Sequence, residues 1–439
     1  MVKKDIIEYI EDNDVKFIRL GFCDLLGFQK NISIISSEFK AVINHGRSID
    51  ASALPVFSDI SKQDLRLYPD LSTLRLLPWR PQTNAVLRFY CDIKNTDNTD
   101  FIGDSRSMLK RAINELSELG FMCMMGTKCE FYLFKNNEFD EPTTKTLDEG
   151  GYLDISPLDK GENIRREICL CLEDMGLSPE TSHHEQGPGQ NEIDFKFSDP
   201  LSAADNFLTF KSIVKSISSR NGLFASFMPK PFRAKSGSGL HLNISLYKDG
   251  KNIFADKNNV NFKYVESFIA GILEKIAEIT LFLNPINNSY ERLGACNAPE
   301  YVGWSYSSRS QLIRVPTASK GSERLELRAA DPTVNPYISF ALILKAGIYG
   351  IKNNLKLPKE YDEQSSSEAS ENSIYTPLPK NLGEAIALAS KSEFVAECIG
   401  KECLSSYVKI KESEYNEYLR INKNNIEQDN CMSEEFKVY

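Results

Sequence analysis

Two charged residues share one face of a predicted strand in the first third of the chain. In the stretch GTKCEFYLF, which runs from Gly126 to Phe134, alternation places Lys128 and Glu130 on the same side. Residues two apart in a strand are separated by ~6.6 Å, which is close enough for long side chains to meet. The pair is either an ordinary ion pair on a wet surface or a carboxylate built for chemistry beside a cation.

Acidic residues and histidines gather in a second stretch, SHHEQGPGQNEIDF. Here Glu185 and Glu192 flank a Gly-Pro-Gly turn, so a chain reversal would bring both carboxylates to one point. Carboxylate clusters with an occasional imidazole are the ligands that Mg²⁺ or Mn²⁺ selects. The alternative is that His183 and His184 lie in a surface loop and that the glutamates face solvent.

A glycine-rich turn precedes another predicted strand in the stretch KSGSGLHLNIS. The residues His241, Asn243 and Ser245 share one face of that strand. Backbone amides of such a turn can bind a carboxylate or a phosphate, although one Gly-Ser-Gly sequence is weak evidence.

Arginines recur around one glutamate in the stretch RSQLIRVPTASKGSERLELRAADP. Arg324, Glu326 and Arg328 alternate along one strand face, and Arg309 and Arg314 precede them. Guanidinium groups in an otherwise apolar region suit a site that handles anions. The alternative is a solvated edge strand.

Composition indicates a globular protein of mixed structure. The chain has 439 residues, of which 41% are hydrophobic, so it has enough apolar surface to bury a large core. A polar segment from Cys91 to Arg106 predicts a boundary near residue 100, between a small domain at residues 1–100 and a large one at 101–439. Strand and helix patterns mix throughout, which predicts an α+β fold.

Charge and hydropathy exclude several kinds of partner. The 52 basic and 61 acidic residues give a net charge of −9 without a basic stripe, so we expect no nucleic-acid partner. The longest apolar tract starts at Tyr337, is interrupted by Lys345 and is too short to span a bilayer. No apolar signal core follows the N-terminus. We therefore expect a cytoplasmic protein with no membrane association.

Taken together, these stretches resemble the glutamine synthetase family of the long bacterial type. The motifs KFIRLGFCDLLG, EFYLF, SHHEQGPGQNEIDFK, FMPKPFRAKSGSGLHLN, NPINNSYERL, SRSQLIRVP and RLELRAADPTVNPY follow in family order at nearly family spacing. The resemblance implies an N-terminal β-grasp domain and a catalytic domain with a curved antiparallel sheet. It also implies a homo-oligomer of two stacked hexameric rings with active sites between neighbouring subunits.

The family reaction joins an amino acid to ammonia at the expense of ATP. The γ-carboxylate of glutamate takes the γ-phosphoryl group, and ammonia then displaces phosphate from the acyl phosphate. Two or more Mg²⁺ or Mn²⁺ ions neutralise the phosphate charge.

The resemblance also assigns roles to individual residues. Glu130, Glu185 and Glu192 would hold the first metal, and His241 and Glu326 the second. Gly237, Arg292 and Arg328 match residues that bind glutamate. Arg309, Arg314 and Arg324 match residues that face the nucleotide phosphates, and Glu180 and Ser245 match residues near ATP. Arg309 and Arg328 are also predicted to be catalytic.

Four departures from the family lie on the ammonium and second-metal side of the site. Lys128 stands where the family has a glutamate ligand of the second metal, and Ser236 where it has an asparagine that contacts glutamate. Asn297, in the shortened flap RLGACNAPEY, stands where a glutamate closes the site and takes the proton from ammonium. His45, with Arg47 beside it, replaces an aspartate of the neighbouring subunit's latch loop that helps to bind ammonium.

These departures remove the negative charge that attracts ammonium. Losing a positioned general base alone costs about 10²- to 10⁴-fold in rate. We therefore expect little glutamine formation, unless Glu291 or Glu300 beside the flap replaces the lost carboxylate.

Two hypotheses follow. In the first, the protein is a ligase in which Lys128 supplies the charge of the missing second metal and another amine enters. In the second, it is a non-catalytic relative that binds a nucleotide or metabolite as a regulatory or assembly protein. Retention of the three first-metal glutamates and the site arginines favours the ligase.

Overall fold

The computed structural model describes residues 3–61, 63–80, 83–317, 321–361, 376–422 and 434–439. Helices and strands are both present throughout these ranges, which confirms the predicted α+β class. Within them, no helix combines the length and the apolar character needed to cross a bilayer.

A six-stranded sheet forms the N-terminal part. Its strands are Val15–Cys23 (β1), Gln29–Ile35 (β2), Arg47–Ile49 (β3), Leu65–Pro69 (β4), Arg75–Leu76 (β5) and Ala85–Asn95 (β6). They run in the order β2-β1-β6-β4-β3, with β5 also paired to β6. The helices beside them are Lys3–Asp12 (α1), Phe39–His45 (α2) and Phe57–Ile60 (α3).

The turn between β1 and β2 contacts the larger part of the protein. Gly27 has a φ of 93°, a conformation that favours glycine, and its amide donates to the Asp24 carbonyl at 3.1 Å. That carbonyl also accepts from the Asn335 side chain at 2.9 Å. The hairpin is therefore tied to a segment more than 300 residues away in the chain.

A ten-stranded sheet forms the centre of the larger part. Its strands are Met122–Asn136 (β7), Pro142–Thr146 (β8), Pro179–His184 (β9), Gln190–Phe195 (β10), Leu223–Ser226 (β11), Leu240–Lys248 (β12), Lys251–Asn252 (β13), Trp304–Ser305 (β14), Ile313–Arg314 (β15) and Leu325–Leu327 (β16). The order is β14-β15-β16-β12-β7-β10-β9, and β8, β11 and β13 pair beside this path. Pairing is antiparallel except between β14 and β15, so the predicted antiparallel sheet has one parallel pair.

Helices cover the sheet and close the core. They are Ser105–Glu118 (α4), Glu162–Asp174 (α5), Pro200–Arg220 (α6), Phe262–Leu283 (α7), Ser289–Arg292 (α8), Pro336–Lys352 (α9), Leu382–Ala389 (α10), Glu393–Ile399 (α11), Lys401–Asn422 (α12) and Glu434–Val438 (α13). The apolar tract from Tyr337 is the buried helix α9. It packs against α7 so closely that a β-carbon at Gly350 would lie 1.9 Å from the Ser267 carbonyl oxygen.

One buried arginine joins the two parts of the chain. The Arg106 side chain, at the start of α4, is 3% exposed and pairs with Asp205 of α6 at 2.9 Å. It also contacts Asp92 of β6 at 2.8 Å and Asp70, which follows β4, at 2.9 Å. Three carboxylates from separate elements thus contact one guanidinium group, and Lys110 gives Asp92 a second positive partner at 2.6 Å.

We predict that Arg106→Met lowers the free energy of unfolding by about 3–5 kcal/mol, because buried carboxylates lose their counter-charge. Arg420→Met removes an arginine from an exposed pair with Glu417 and is expected to cost less than about 1 kcal/mol. Urea denaturation of both variants checks the difference. Equal losses would show that the Arg106 cluster does not stabilise the fold.

Candidate functional site

A cavity of about 430 Å³ opens on the central strands of the larger sheet. Strand register explains its lining. Lys128 on β7 pairs with Asp194 on β10 and with His241 on β12, and Glu130 pairs with Glu192. Chemically active side chains from three adjacent strands therefore face one space.

Two overlapping groups in this cavity have the geometry of cation sites. Single ligand atoms of Glu130, Glu192 and His241 lie within 4.8 Å of one another, and so do those of His183, Glu185 and Glu192. Glu192 belongs to both groups. The three carboxylates predicted for the first metal thus lie close together, with Glu192 as the link between them.

Burial raises the pKa of Glu130, and the neighbouring Glu185 charge raises it further. Burial likewise raises the pKa of Glu192, together with the charge of Asp194. Carboxylates crowded in this way are costly to ionise without a cation. A bound divalent ion would relieve that cost, so the donor set fits Mg²⁺ or Mn²⁺.

Lys128 points into the cavity, and it already neutralises part of this charge. Its Nζ lies 2.9 Å from Glu192 Oε1 and 3.3 Å from Asp194 Oδ2. Burial alone would lower the pKa of Lys128, but these two carboxylates raise it above its usual value. The lysine is therefore a fixed positive charge beside the candidate metal ligands.

Glu326 of β16 interacts mainly with arginines. Its carboxylate lies 2.9 Å from Arg328 Nη1 and 3.3 Å from both Arg314 Nη1 and His241 Nδ1. Burial and the charges of Arg328 and Lys128 lower the pKa of His241, so its imidazole is neutral. His241 and Glu326, predicted as ligands of a second metal, are in contact with each other.

Arginines line the cavity and bring positive charge to it, among them Arg309, Arg314, Arg324 and Arg328. Among the described residues, the buried Nε atoms of Arg314 and Arg328 have no hydrogen-bond partner. Arg324 Nε donates to Asn243 Oδ1 at 3.0 Å, and Arg309 lines the cavity. Guanidinium groups that line a cavity suit phosphate or carboxylate oxygens.

The glycine-rich turn before β12 adopts a shape that only glycine permits. A β-carbon at Gly237 would lie 2.5 Å from the Pro229 carbonyl oxygen and 3.0 Å from Arg292 Cγ. Arg292 itself is buried and donates to the Ala329 carbonyl at 3.0 Å. The Ser236 carbonyl accepts from Tyr132 at 2.6 Å, so the turn is held over the cavity.

The flap is a compact turn that reaches the cavity at Ala295, Cys296, Asn297 and Ala298. Cys296 and Asn297 both have positive φ values, 48° and 67°, which bend the chain sharply. Glu291 and Glu300 are absent from the described residues that line the cavity, and Glu291 lies 3.6 Å from Arg233 instead.

Three other predicted residues occupy different positions. Glu180 lines the cavity, whereas Ser245 is buried outside its lining, where its hydroxyl donates to the Glu323 carbonyl at 3.1 Å. His45 is exposed at the end of α2 and does not reach the cavity of its own chain. A role for His45 therefore requires a neighbouring subunit.

Two consecutive histidines diverge. His183 faces the cavity and contacts Glu185 at 3.1 Å, whereas His184 is buried with Nε2 2.9 Å from Asp148 Oδ1. The other His184 nitrogen lies 2.6 Å from the Glu185 carbonyl oxygen. The solvent-exposed loop that was the alternative for this stretch is wrong for His184.

Asp148 is a positioning group that the sequence analysis missed. It also accepts from the amides of Gly150, Gly189 and Lys160 at 2.9–3.1 Å. Burial acts to raise the pKa of Asp148, but the hydrogen bond from His184 and these amides lower it to about 2. Strand periodicity gives no signal for such a loop residue.

Asp194 was also missed, although strand alternation from Glu192 places both on one face. Tyr152, Gln186 and Gln190 line the cavity as well. Gln190 donates to the Gly237 carbonyl at 3.0 Å and so links β10 to the glycine-rich turn.

Comparisons with known proteins agree with this geometry. The family model described as "Glutamine synthetase, beta-Grasp domain" matches residues 14–96, and "Glutamine synthetase, catalytic domain" matches residues 102–430. These matches support the predicted β-grasp and catalytic parts of the fold.

Curated relatives and solved structures match nearly the whole chain. A glutamine synthetase of Clostridium saccharobutylicum is 44% identical and one of Methanosarcina mazei 43% identical, each over 423 residues, covering 95% of this chain and 95% and 94% of the relatives.

The ADP complex of GmaS superposes with a TM-score of 0.84 at 27% identity, and Plasmodium falciparum glutamine synthetase with 0.83 at 25%. Both alignments cover 95% of this chain and 96% of the other. The chain belongs to the glutamine synthetase family of ligases.

Proposed function

We propose that this protein is an ATP-dependent ligase that activates a glutamate-type γ-carboxylate as an acyl phosphate and transfers it to an amine other than ammonia. The observation that carries the proposal is the composition of one cavity. It combines clustered carboxylates with arginines that line the same cavity, yet a lysine and a flap amide stand where ammonium would need negative charge.

The residues that line the cavity are assigned to three proposed ligands: a metal ion, the nucleotide and the amino acid. Mg²⁺ or Mn²⁺ would be held by Glu130, Glu185, Glu192 and His241, and it would neutralise phosphate charge in the transfer. Arg309, Arg314 and Arg324 would contact the nucleotide phosphates, and Arg292, Arg328, Gly237 and Ser236 the amino acid. Glu180 is assigned to the nucleotide because it lines the same cavity. Ser245 is retained for the nucleotide only on the sequence resemblance.

Lys128 would supply positive charge in place of a second metal. A first metal could bind at the same time, because Lys128 has two carboxylate partners. Glu192 would bind the metal ion, and Asp194 would remain paired with the Lys128 ammonium group. The side-chain ammonium group of Lys128, whose strand partner is His241, would then supply positive charge to phosphate oxygens.

The assembly is proposed from the family alone. Two stacked hexameric rings would bring the latch loop with His45 from one subunit to the cavity of the next. The small-molecule partners would be an amino acid and an amine, in the cytoplasm. Among solved neighbours, GmaS is described as a complex with ADP, which supports nucleotide binding by this architecture.

The second hypothesis, a nucleotide- or metabolite-binding regulatory protein without catalysis, has one observation in its favour. Lys128 already pairs with Glu192, which belongs to both candidate cation groups. A lysine that displaced the metal altogether would leave anion binding without phosphoryl transfer.

We predict that MgATP binds and that Arg314→Ala weakens it about tenfold or more, because a charge-assisted hydrogen bond is lost. Arg220→Ala, at an exposed pair with Glu167 far along α6, serves as the control and is expected to leave affinity unchanged. Isothermal titration calorimetry measures all three proteins. Absence of nucleotide binding by the unaltered chain would contradict the ligase.

We predict that glutamate and ammonia give little glutamine, because neither Asn297 nor Lys128 can hold or deprotonate ammonium. Phosphate release should rise at least tenfold with a preferred amine from a panel of amines and acids. Turnover with ammonia as good as with every other amine would refute the altered specificity. No turnover with any pair would favour the non-catalytic hypothesis.

We predict that the unaltered protein binds one Mn²⁺ per chain in this cavity and that Lys128→Glu binds two, because a carboxylate replaces the competing ammonium. Lys128→Gln removes the charge without adding a ligand and should gain no second ion. Titration followed by Mn²⁺ electron paramagnetic resonance counts the bound ions. Two ions per chain without substitution would overturn the role given to Lys128.

A further inference from the structure

The flap wall of the cavity offers an incoming amine no negative charge. Ala295, Cys296, Asn297 and Ala298, all described, contribute two methyl groups, a thiol and an amide. A cation stands close to this wall, since Lys230 Nζ lies 3.8 Å from Cys296 Sγ. This wall therefore neither attracts a cationic amine nor accepts its proton.

Most carboxylates deeper in the cavity already have partners. Glu192 and Asp194 contact Lys128, Glu326 contacts two arginines, and Glu185 contacts a histidine. The lining carries six carboxylates against six lysine and arginine side chains, so its own charge is balanced before a divalent cation enters.

An alkylamine meets this site almost entirely as a cation. With a pKa near that of lysine, about 10.4, only about one molecule in 1,000 is neutral at pH 7.4. The cation must lose its hydration and must then lose a proton before it can attack, and the flap wall offers no carboxylate for either step. An amine whose conjugate acid has a pKa well below 7 avoids both costs.

We propose that the amine substrate is neutral at neutral pH, in the class of arylamines and O-alkylhydroxylamines. This inference rests on the proposed ligase function. The nitrogen lone pair forms the C–N bond at the acyl phosphate carbon, and the C–O bond breaks with its electron pair leaving on phosphate. The extra proton on nitrogen passes to the departing phosphate, so no carboxylate is needed as a base.

The small side chains of the wall fit such a substrate. Ala295, Ala298 and Cys296 give a weakly polar surface, and Ser236 is smaller than the asparagine expected from the family. A planar ring would contact this surface without burying a charge.

The test compares amines of one size and different basicity. Aniline and cyclohexylamine are supplied with ATP, Mg²⁺ and glutamate, and the amide product is measured by mass spectrometry from pH 7 to 8.5. We expect at least tenfold more product from aniline at pH 7.5. The aniline rate should be nearly independent of pH, whereas the cyclohexylamine rate should rise about tenfold per pH unit as its neutral fraction grows.

A matched pair of flap variants tests the cause. Asn297→Glu restores a carboxylate and should lower the aniline preference at least tenfold, whereas Asn297→Gln has the same length without charge and should keep it. Cyclohexylamine or ammonium reacting as fast as aniline in the unaltered protein would overturn the inference.

An amine-independent product separates this inference from the proposed function. γ-Glutamyl phosphate cyclises to 5-oxoproline when no amine intercepts it. If 5-oxoproline forms with ATP and glutamate but neither aniline nor methoxyamine gives an amide, the amine class is wrong and acid activation stands. If no 5-oxoproline and no amide form, both fail.

Discussion

The candidate site depends on one group of ion pairs, in which the side-chain ammonium of Lys128 contacts Glu192 and Asp194. The two carboxylates on the adjacent strand stabilise this half-buried lysine in its charged form. The same pairing occupies a carboxylate that both candidate cation groups share. The metal site, the nucleotide site and the amine proposed for this cavity therefore all involve this one charge.

A buried hydrogen-bond network around Asp148 holds the carboxylates of the site in position. Asp148 accepts hydrogen bonds from three backbone amides and contacts the imidazole of His184. The other nitrogen of His184 contacts the carbonyl of Glu185. This buried network fixes the hairpin that carries Glu185 and Glu192. Preorganised ligands lose little entropy when a cation arrives, so the support matters as much as the ligands themselves.

Local patterns in the sequence predicted part of this arrangement. Alternation correctly placed Lys128 and Glu130 on one face, and the glycine-rich turn and the arginine stretch do reach the cavity. Alternation also placed Ser245 on the face of His241, but Ser245 is four residues along the strand and its hydroxyl bonds the Glu323 carbonyl outside the cavity. A shared face does not define how far the cavity extends.

Other features depend on pairings that no local pattern contains. The partnership of Lys128 with Asp194 requires the register of β7 against β10, which lie more than 50 residues apart. His183 and His184 separate because one faces the cavity and the other finds Asp148 in a distant loop. The resemblance to glutamine synthetases identified the departures at Lys128 and Asn297, but only the geometry shows which carboxylates Lys128 engages.

The most direct measurement is a crystal structure with Mn²⁺ and a non-hydrolysable ATP analogue, with anomalous scattering used to locate manganese. We predict one manganese peak per cavity, bound by Glu130 and Glu192, with Lys128 Nζ paired to Asp194 and near the phosphates. Two manganese peaks in the cavity, or Lys128 turned out to solvent, would contradict it.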